Sequence, residues 1–153
     1  MTTSSFKLLL TLMSFSMLAA AWTFQYFGYP PCEMCYWQRY PYMVAIPLGL
    51  LSYFLSSRIF AWLAALCMAT TGAIGVFHSG VERKLWEGIT TCSQGLDLTK
   101  SSDDLFNQMM SAPLVRCDEI PWQMFGFTMA NLNAIGAFVM CAAWIWVATR
   151  PLP

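Results

Sequence analysis

The sequence predicts an all-α membrane protein: a four-helix transmembrane bundle with a long extracytoplasmic loop between helices 3 and 4. Three observations predict it. Hydrophobic residues make up 58% of the 153 and charged residues 10%, against ~25% charged in ordinary soluble domains. Four apolar runs, 8–27, 36–55, 59–77 and 128–148, each have about the 20 residues a helix needs to cross a bilayer. The remaining charges gather between positions 78 and 127, which hold seven of the eight acidic residues. The formal net charge is zero, and no basic stripe is present to track a phosphate backbone, so nucleic acid is not an expected partner.

The chain reads as one membrane domain over 1–153. The first run follows Lys7. Its core and the Ala19, Ala20, Ala21 triplet imitate a signal peptide. The apolar character continues through Trp22, Phe24 and Phe27, which favours a retained span. Gly28, Pro30 and Pro31 then break the chain, with Pro31 suited to the opening turn of the next helix. The second run carries Tyr36, Trp37, Tyr40 and Tyr42 as an aromatic belt, with Pro41 and Pro47 inside it. Ser56, Ser57 and Arg58 form a minimal turn. The third run offers Gly72 and Gly75 for close helix contact. In the loop, Val81–Trp86 is expected to lie on the membrane with Val81, Leu85 and Trp86 toward lipid, and Ser101 or Ser102 to cap a short helix through Met110. Four spans set both termini on one side, and residues 28–39 with the long loop on the other.

Six cysteines fall into two groups. Cys67 and Cys141 sit within apolar runs, where thiols usually act as small inert hydrophobes. Cys32, Cys35, Cys92 and Cys117 lie outside them, which points to disulfides and an oxidising compartment. Cys32 and Cys35 are one helical turn apart, and Arg39 follows Cys35 by four residues on the same face. A guanidinium and a helix N-terminus both favour a thiolate. A disulfide closing so short a gap adds little stability, so this pair reads as a redox device. The loop pair alone also suits structural bracing. A zinc site is not expected, because Cys92 and Cys117 stand far apart where a zinc ribbon would show a second close pair.

These residues carry a resemblance over essentially the whole length. PPCEMCYWQRYPY heads the second run, FHSGVE opens the loop, and TTCSQG and VRCDEIPWQMFGF supply the second cysteine pair. With the arginine four residues after the second cysteine and C-x-x-x-x-W-x-x-F-G after the last, the chain resembles the DsbB family of bacterial inner-membrane disulfide-forming oxidases. The resemblance implies a relay. A periplasmic DsbA-like thioredoxin-fold protein would attack Cys92, freeing Cys117, which would pass electrons to Cys32. Cys35 would be released as a thiolate beside a quinone (ubiquinone or menaquinone), with Arg39 stabilising the charge. His78, Trp37 and Gln38 would line the quinone site. Glu33, between the two cysteines, departs from the expected pattern and should oppose Arg39 by raising the thiol pKa.

Energetics also favour a quinone. A DsbA-type partner sits near about −120 mV and glutathione pools near about −200 mV or lower, so glutathione disulfide would oxidise it only uphill. The chain carries no motif for flavin, haem or nicotinamide. Two rival readings remain open on sequence. One is a four-span scaffold whose disulfide-braced loop binds other proteins. The other is a thiol oxidoreductase like the vitamin K epoxide reductase group, which places its loop cysteines before the C-x-x-C.

Overall fold

Each apolar run folds into one helix of the computed structural model, which describes residues 3–55, 57–88, 101, 103 and 115–150. Among these residues α1 spans Thr3–Tyr26, α2 Glu33–Phe54, α3 Arg58–Glu82 and α4 Met129–Thr149. A hairpin of β1 (Gln123–Met124) and β2 (Phe127–Thr128), antiparallel with Gln123 opposite Thr128, leads into α4. The helices form a bundle in which α3 packs most extensively, on α4 and on α2; α1 lies against α2 and more lightly against α4.

The bundle is apolar outside and buries polar side chains beside its hydrophobic core. Leu12, Phe15, Ile59, Leu66, Ile135 and Val139 are all more than half exposed, while Lys7, Thr11, Ser14, Ser52 and Thr71 are buried. Water would penalise that arrangement, whereas hydrocarbon favours it. α1, α3 and α4 are each long and apolar enough to cross a membrane. α2 is 22 residues long but carries Gln38, Arg39 and two prolines. Lys7 is buried because its ammonium donates to Ser52 O at 2.9 Å. That carbonyl belongs to the last turn of α2, where carbonyls lack a helical partner and the helix end is negative.

Turns follow from local chemistry. Gly28 holds φ +91°, a conformation that costs glycine nothing, and ends α1 ahead of Pro30 and Pro31. Cys32 is the N-cap of α2, its sulfur accepting from Cys35 N. Thr128 caps α4 in a reciprocal capping box with Asn131. Arg83 donates to Gly126 O and Asn131 Oδ1, both at 2.9 Å, tying the hairpin to the end of α3.

The close contacts expected at Gly72 and Gly75 are present. A Cβ on Gly75 would stand 3.1 Å from Ala130 O and from Ala134 Cβ, and one on Gly72 would stand 3.1 Å from the Phe138 ring. Gly75→Leu is therefore expected to destabilise the α3–α4 seam by about 3 kcal/mol, the upper part of the overpacking range. Thermal unfolding in detergent against Gly75→Ala measures it, and an unchanged midpoint would refute the contact.

Two expectations need correction. α3 runs five residues past position 77, so FHSGVE is helix rather than loop. Nothing in that stretch breaks a helix, and Gly80 leaves the space in which the Trp86 ring sits. Trp86 also stacks on Phe77 with centroids 5.8 Å apart and donates to Phe77 O. The second correction is Val81, expected toward lipid: it is 1% exposed, packed with Cys32, Met34 and Cys117, while Leu85 and Trp86 remain exposed. The expected helix from Ser101 or Ser102 to Met110 lies outside the described residues.

Candidate active site

The cap of α2, the last turns of α3 and the segment just before the hairpin bring three sulfurs together. Cys32 Sγ lies 3.0 Å from Cys35 Sγ and hydrogen-bonds Cys117 as well. Cys32 thus stands between the other two, buried together with Cys117. Cys32 and Cys35 precede Tyr36, where the expected span begins. The hydrogen bond with Cys117, then that with Cys35, raises the Cys32 pKa and keeps its proton in place. The same Cys32 bond lowers the Cys35 pKa, and the charge of Arg39 adds to it against the opposing effect of burial. In the dithiol form the anion therefore belongs to Cys35.

Behind Cys32 lies a hydrogen-bonded polar network inside the bundle. His78 Nε2 is 3.4 Å from Cys32 Sγ, and His78 Nδ1 is 2.8 Å from Gln38 Nε2. The second hydrogen of that amide nitrogen goes to Met34 O at 3.3 Å, a carbonyl that can only accept. Gln38 Oε1 accepts from Asn133 Nδ2 at 2.7 Å. Asn133 Nδ2 also lies 3.4 Å from Thr71 O, and Asn133 Oδ1 accepts from the Tyr42 hydroxyl at 2.9 Å. Turning either amide over would set its oxygen against a backbone carbonyl. The network therefore dictates both orientations. His78 Nδ1 must accept, so the neutral ring carries its hydrogen on Nε2, facing Cys32. A second proton, on Nδ1, would collide with an N–H of Gln38. The His78 Nε2 hydrogen thus faces the Cys32 sulfur and the backbone carbonyl of Cys117 as a donor, and the ring is not built as a base.

Arg39 is held by α1. Nη1 donates to Gln25 Oε1 at 2.8 Å and Nη2 to Ala21 O at 3.2 Å, and the guanidinium lies 5.3 Å from the centroid of the Tyr36 ring. Beside it is a cavity of about 110 Å³, comparable to the ~150 Å³ that admits a benzene ring. Met17, Ala21 and Phe24 of α1 form an apolar wall; Cys35, Gln38, Arg39, His78, Glu82 and Asn133 bring polar groups to the others.

Of the residues singled out from sequence, Cys32, Cys35, Gln38, Arg39, His78 and Cys117 come together here. Cys92 lies outside the described residues. Trp37 does not line the cavity; two positions after Cys35 the helix has turned it to another face. Glu33 is exposed in the first turn of α2 and is not among the groups that shift either sulfur. Cys32, Cys35 and His78 present donor atoms within 4.8 Å of one another. Use as a metal site is opposed by the amide network, which keeps a hydrogen on His78 Nε2. Gln25, Tyr42, Thr71, Glu82 and Asn133 were not foreseen. Cys67 and Cys141 pack against the separate hydrophobic core of the bundle, so Cys67→Ser and Cys141→Ser are expected to retain at least about half the thiol-oxidising turnover, measured on the purified variants.

An apolar-shelled four-helix bundle with a helix-top dithiol, a third sulfur delivered from the loop and a neighbouring cavity defines a multi-pass membrane protein equipped for thiol–disulfide exchange. The profile described as "Disulfide bond formation protein DsbB" matches residues 3–147, and the chain belongs to that family, whose role is disulfide bond formation. It is also similar to the uncharacterised protein RP370 of Rickettsia prowazekii (strain Madrid E), 23% identical over 134 residues, covering 84% of this chain and 78% of that one. No solved structure gives a significant match.

Proposed function

We propose that the protein is a quinone-dependent thiol oxidase of the bacterial inner membrane that reoxidises a periplasmic DsbA-like dithiol protein. The partner's thiolate attacks Cys92 and breaks a Cys92–Cys117 disulfide, so that Cys117 leaves with the electron pair. Cys117 then attacks Cys32 Sγ; the Cys32–Cys117 bond forms, the Cys32–Cys35 bond breaks, and the pair moves to Cys35. Each exchange forms one S–S bond and breaks one. The observation that carries this reading is the order of the sulfurs, Cys117–Cys32–Cys35, ending beside a cavity next to Arg39.

The residues present fit a quinone. The cavity has room for about one ring, an apolar wall for its face, and a guanidinium with N–H groups to spare. Bound there, ubiquinone or menaquinone would accept two electrons and two protons. Arg39 holds the Cys35 anion and orients a polar oxygen, while His78 donates to Cys32 and keeps its sulfur placed for attack by Cys117. Purified protein, quinone and a reduced DsbA-type protein test this together. Quinone absorbance is expected to fall as the partner's thiols disappear; a spectrum that stays unchanged while the partner remains reduced refutes it.

A further inference from the structure

Cys117 comes from the connection ahead of the hairpin, not from a helix, and its sulfur has to meet Cys32 each time it leaves Cys92. Its backbone carbonyl is held by His78: the Nε2 hydrogen faces Cys117 O as well as Cys32 Sγ, the latter at 3.4 Å. That clasp exists in one tautomer only. With the hydrogen on Nδ1, a bare Nε2 would set its lone pair against the Cys117 carbonyl, and the hold would become a repulsion. His78 does not choose the tautomer by itself. Gln38 Nε2 stands 2.8 Å from Nδ1, and Gln38 is kept from turning over by Asn133, whose Nδ2 donates to Gln38 Oε1 at 2.7 Å. Asn133 is oriented in turn by the Tyr42 hydroxyl and by Thr71 O, and the Thr71 hydroxyl donates to Gln38 O at 2.8 Å. Side chains from three helices thus converge on the placement of one hydrogen. Gln38, Thr71 and His78 are each no more than 6% exposed, and apolar side chains would fill the same seam without the cost of burying amides.

We propose that Asn133 is a positioning residue for the sulfur exchange. Acting through Gln38, it fixes the hydrogen of His78 on Nε2, and that hydrogen seats the Cys117 backbone over Cys32. The clasp itself makes and breaks no covalent bond: Cys117 still arrives as the anion released from Cys92, and its electron pair goes to Cys32 Sγ as Cys35 leaves. What the clasp supplies is a held approach, which spares the exchange the entropy of finding it. The titratable groups facing the ring are Glu82 from its own helix at 3.9 Å, Cys32 from the cap of α2 and Cys117 from the connection. A carboxylate so close ordinarily draws a second proton onto an imidazole; the Gln38 N–H at Nδ1 is what refuses it. The inference rests on the proposed relay, in which Cys117 attacks Cys32.

The chain has a single histidine, so the purified full-length protein with isotopically labelled ring nitrogens reads the tautomer directly by NMR. The parent is expected to show a neutral ring with its hydrogen on Nε2, and no imidazolium at about pH 6, where an ordinary histidine is mostly charged. In Asn133→Leu the Gln38 amide loses the donor that holds it and can turn its oxygen to Nδ1, so an imidazolium fraction is expected at the same pH. Gln38→Glu retains Asn133 and puts an acceptor at Nδ1, so a hydrogen is expected there. In parallel, a Cys92→Ser chain oxidised at Cys32–Cys35 is followed by acid quenching and mass mapping. Adding Asn133→Leu is expected to slow formation of the Cys32–Cys117 link about fivefold, the usual worth of one hydrogen bond. The same change is expected to speed alkylation of Cys117 by an added reagent by a similar factor, with Cys67 and Cys141 alkylating as in the parent; general loosening would expose those two thiols as well. A parent ring that carries its hydrogen on Nδ1, or that is charged at about pH 6, overturns the assignment with no variant needed. So do an Asn133→Leu ring spectrum that matches the parent's and unchanged link and alkylation rates in that variant. If the parent forms no Cys32–Cys117 link, the relay is what fails, while the ring spectra and the alkylation rates still decide the clasp.

Discussion

Cys35→Ser is expected to abolish quinone reduction, a fall of at least about a thousandfold, because a serine hydroxyl neither forms the disulfide nor leaves as a stable anion. The same change should leave a chemical trace. With Cys35 gone, Cys32 keeps a thiol in contact with Cys117, and its attack on a Cys92–Cys117 disulfide yields a Cys32–Cys117 link and a free Cys92 thiol without any added oxidant. Non-reducing peptide mapping of the purified variant should recover that link as the main species. Cys32→Ser should also end turnover, yet it leaves Cys117 with nothing to attack and accumulates no such link. The pair of variants therefore separates the middle sulfur from the last one. Measurable turnover in Cys35→Ser, or an identical disulfide map in the two variants, would remove the order Cys117–Cys32–Cys35 from the explanation.

The helices were legible because bilayer thickness imposes a length on apolar runs, and the four runs satisfy it. The end of α3 was not, because charge near Glu82 reads as loop whenever the acid is assumed to be solvated. In fact Glu82 is buried, and burial of one carboxyl leaves no mark on composition. The cysteines and Arg39 announced themselves by spacing alone. The polar network did not, since Tyr42, Thr71 and Asn133 form no linear motif and come from three different helices. A signal was nonetheless available. Polar side chains inside spans are costly and tend to face one another. Gln38 and Tyr42 near the start of the second run, Thr71 in the later part of the third and Asn133 near the start of the fourth fall toward one end of the bundle once the runs alternate in direction. Trp37 stands two residues from Cys35, on a different helical face, and does not line the cavity, which its place in the sequence alone does not reveal.

Arg39→Gln should change two observables, and Arg39→Lys should separate them. The first is ionisation of Cys35. Its pKa is lowered by the Cys32 hydrogen bond and by the Arg39 charge. A thiol with a lowered pKa stays anionic further down the pH scale, so its alkylation persists toward acid. Removing the cation moves that midpoint upward, by about one pH unit on the usual scale of a near charge, and Cys35 in the reduced variant should alkylate more slowly at neutral pH. Lysine keeps the charge and should leave the profile close to the parent's. The second observable is quinone binding. Arg39 is pinned by Gln25 and Ala21 of α1 through two separate N–H groups, a fork that a lysine ammonium on a flexible stem does not reproduce. The loss of a placed, charged donor is worth about 1.5–3 kcal/mol, so the quinone KM should rise roughly 10- to 100-fold in Arg39→Gln, and Arg39→Lys should share much of that rise despite its charge. An alkylation profile unmoved in Arg39→Gln would mean the guanidinium does not act on Cys35. A parental quinone KM in Arg39→Lys would mean that charge alone suffices and that the anchorage on α1 serves packing.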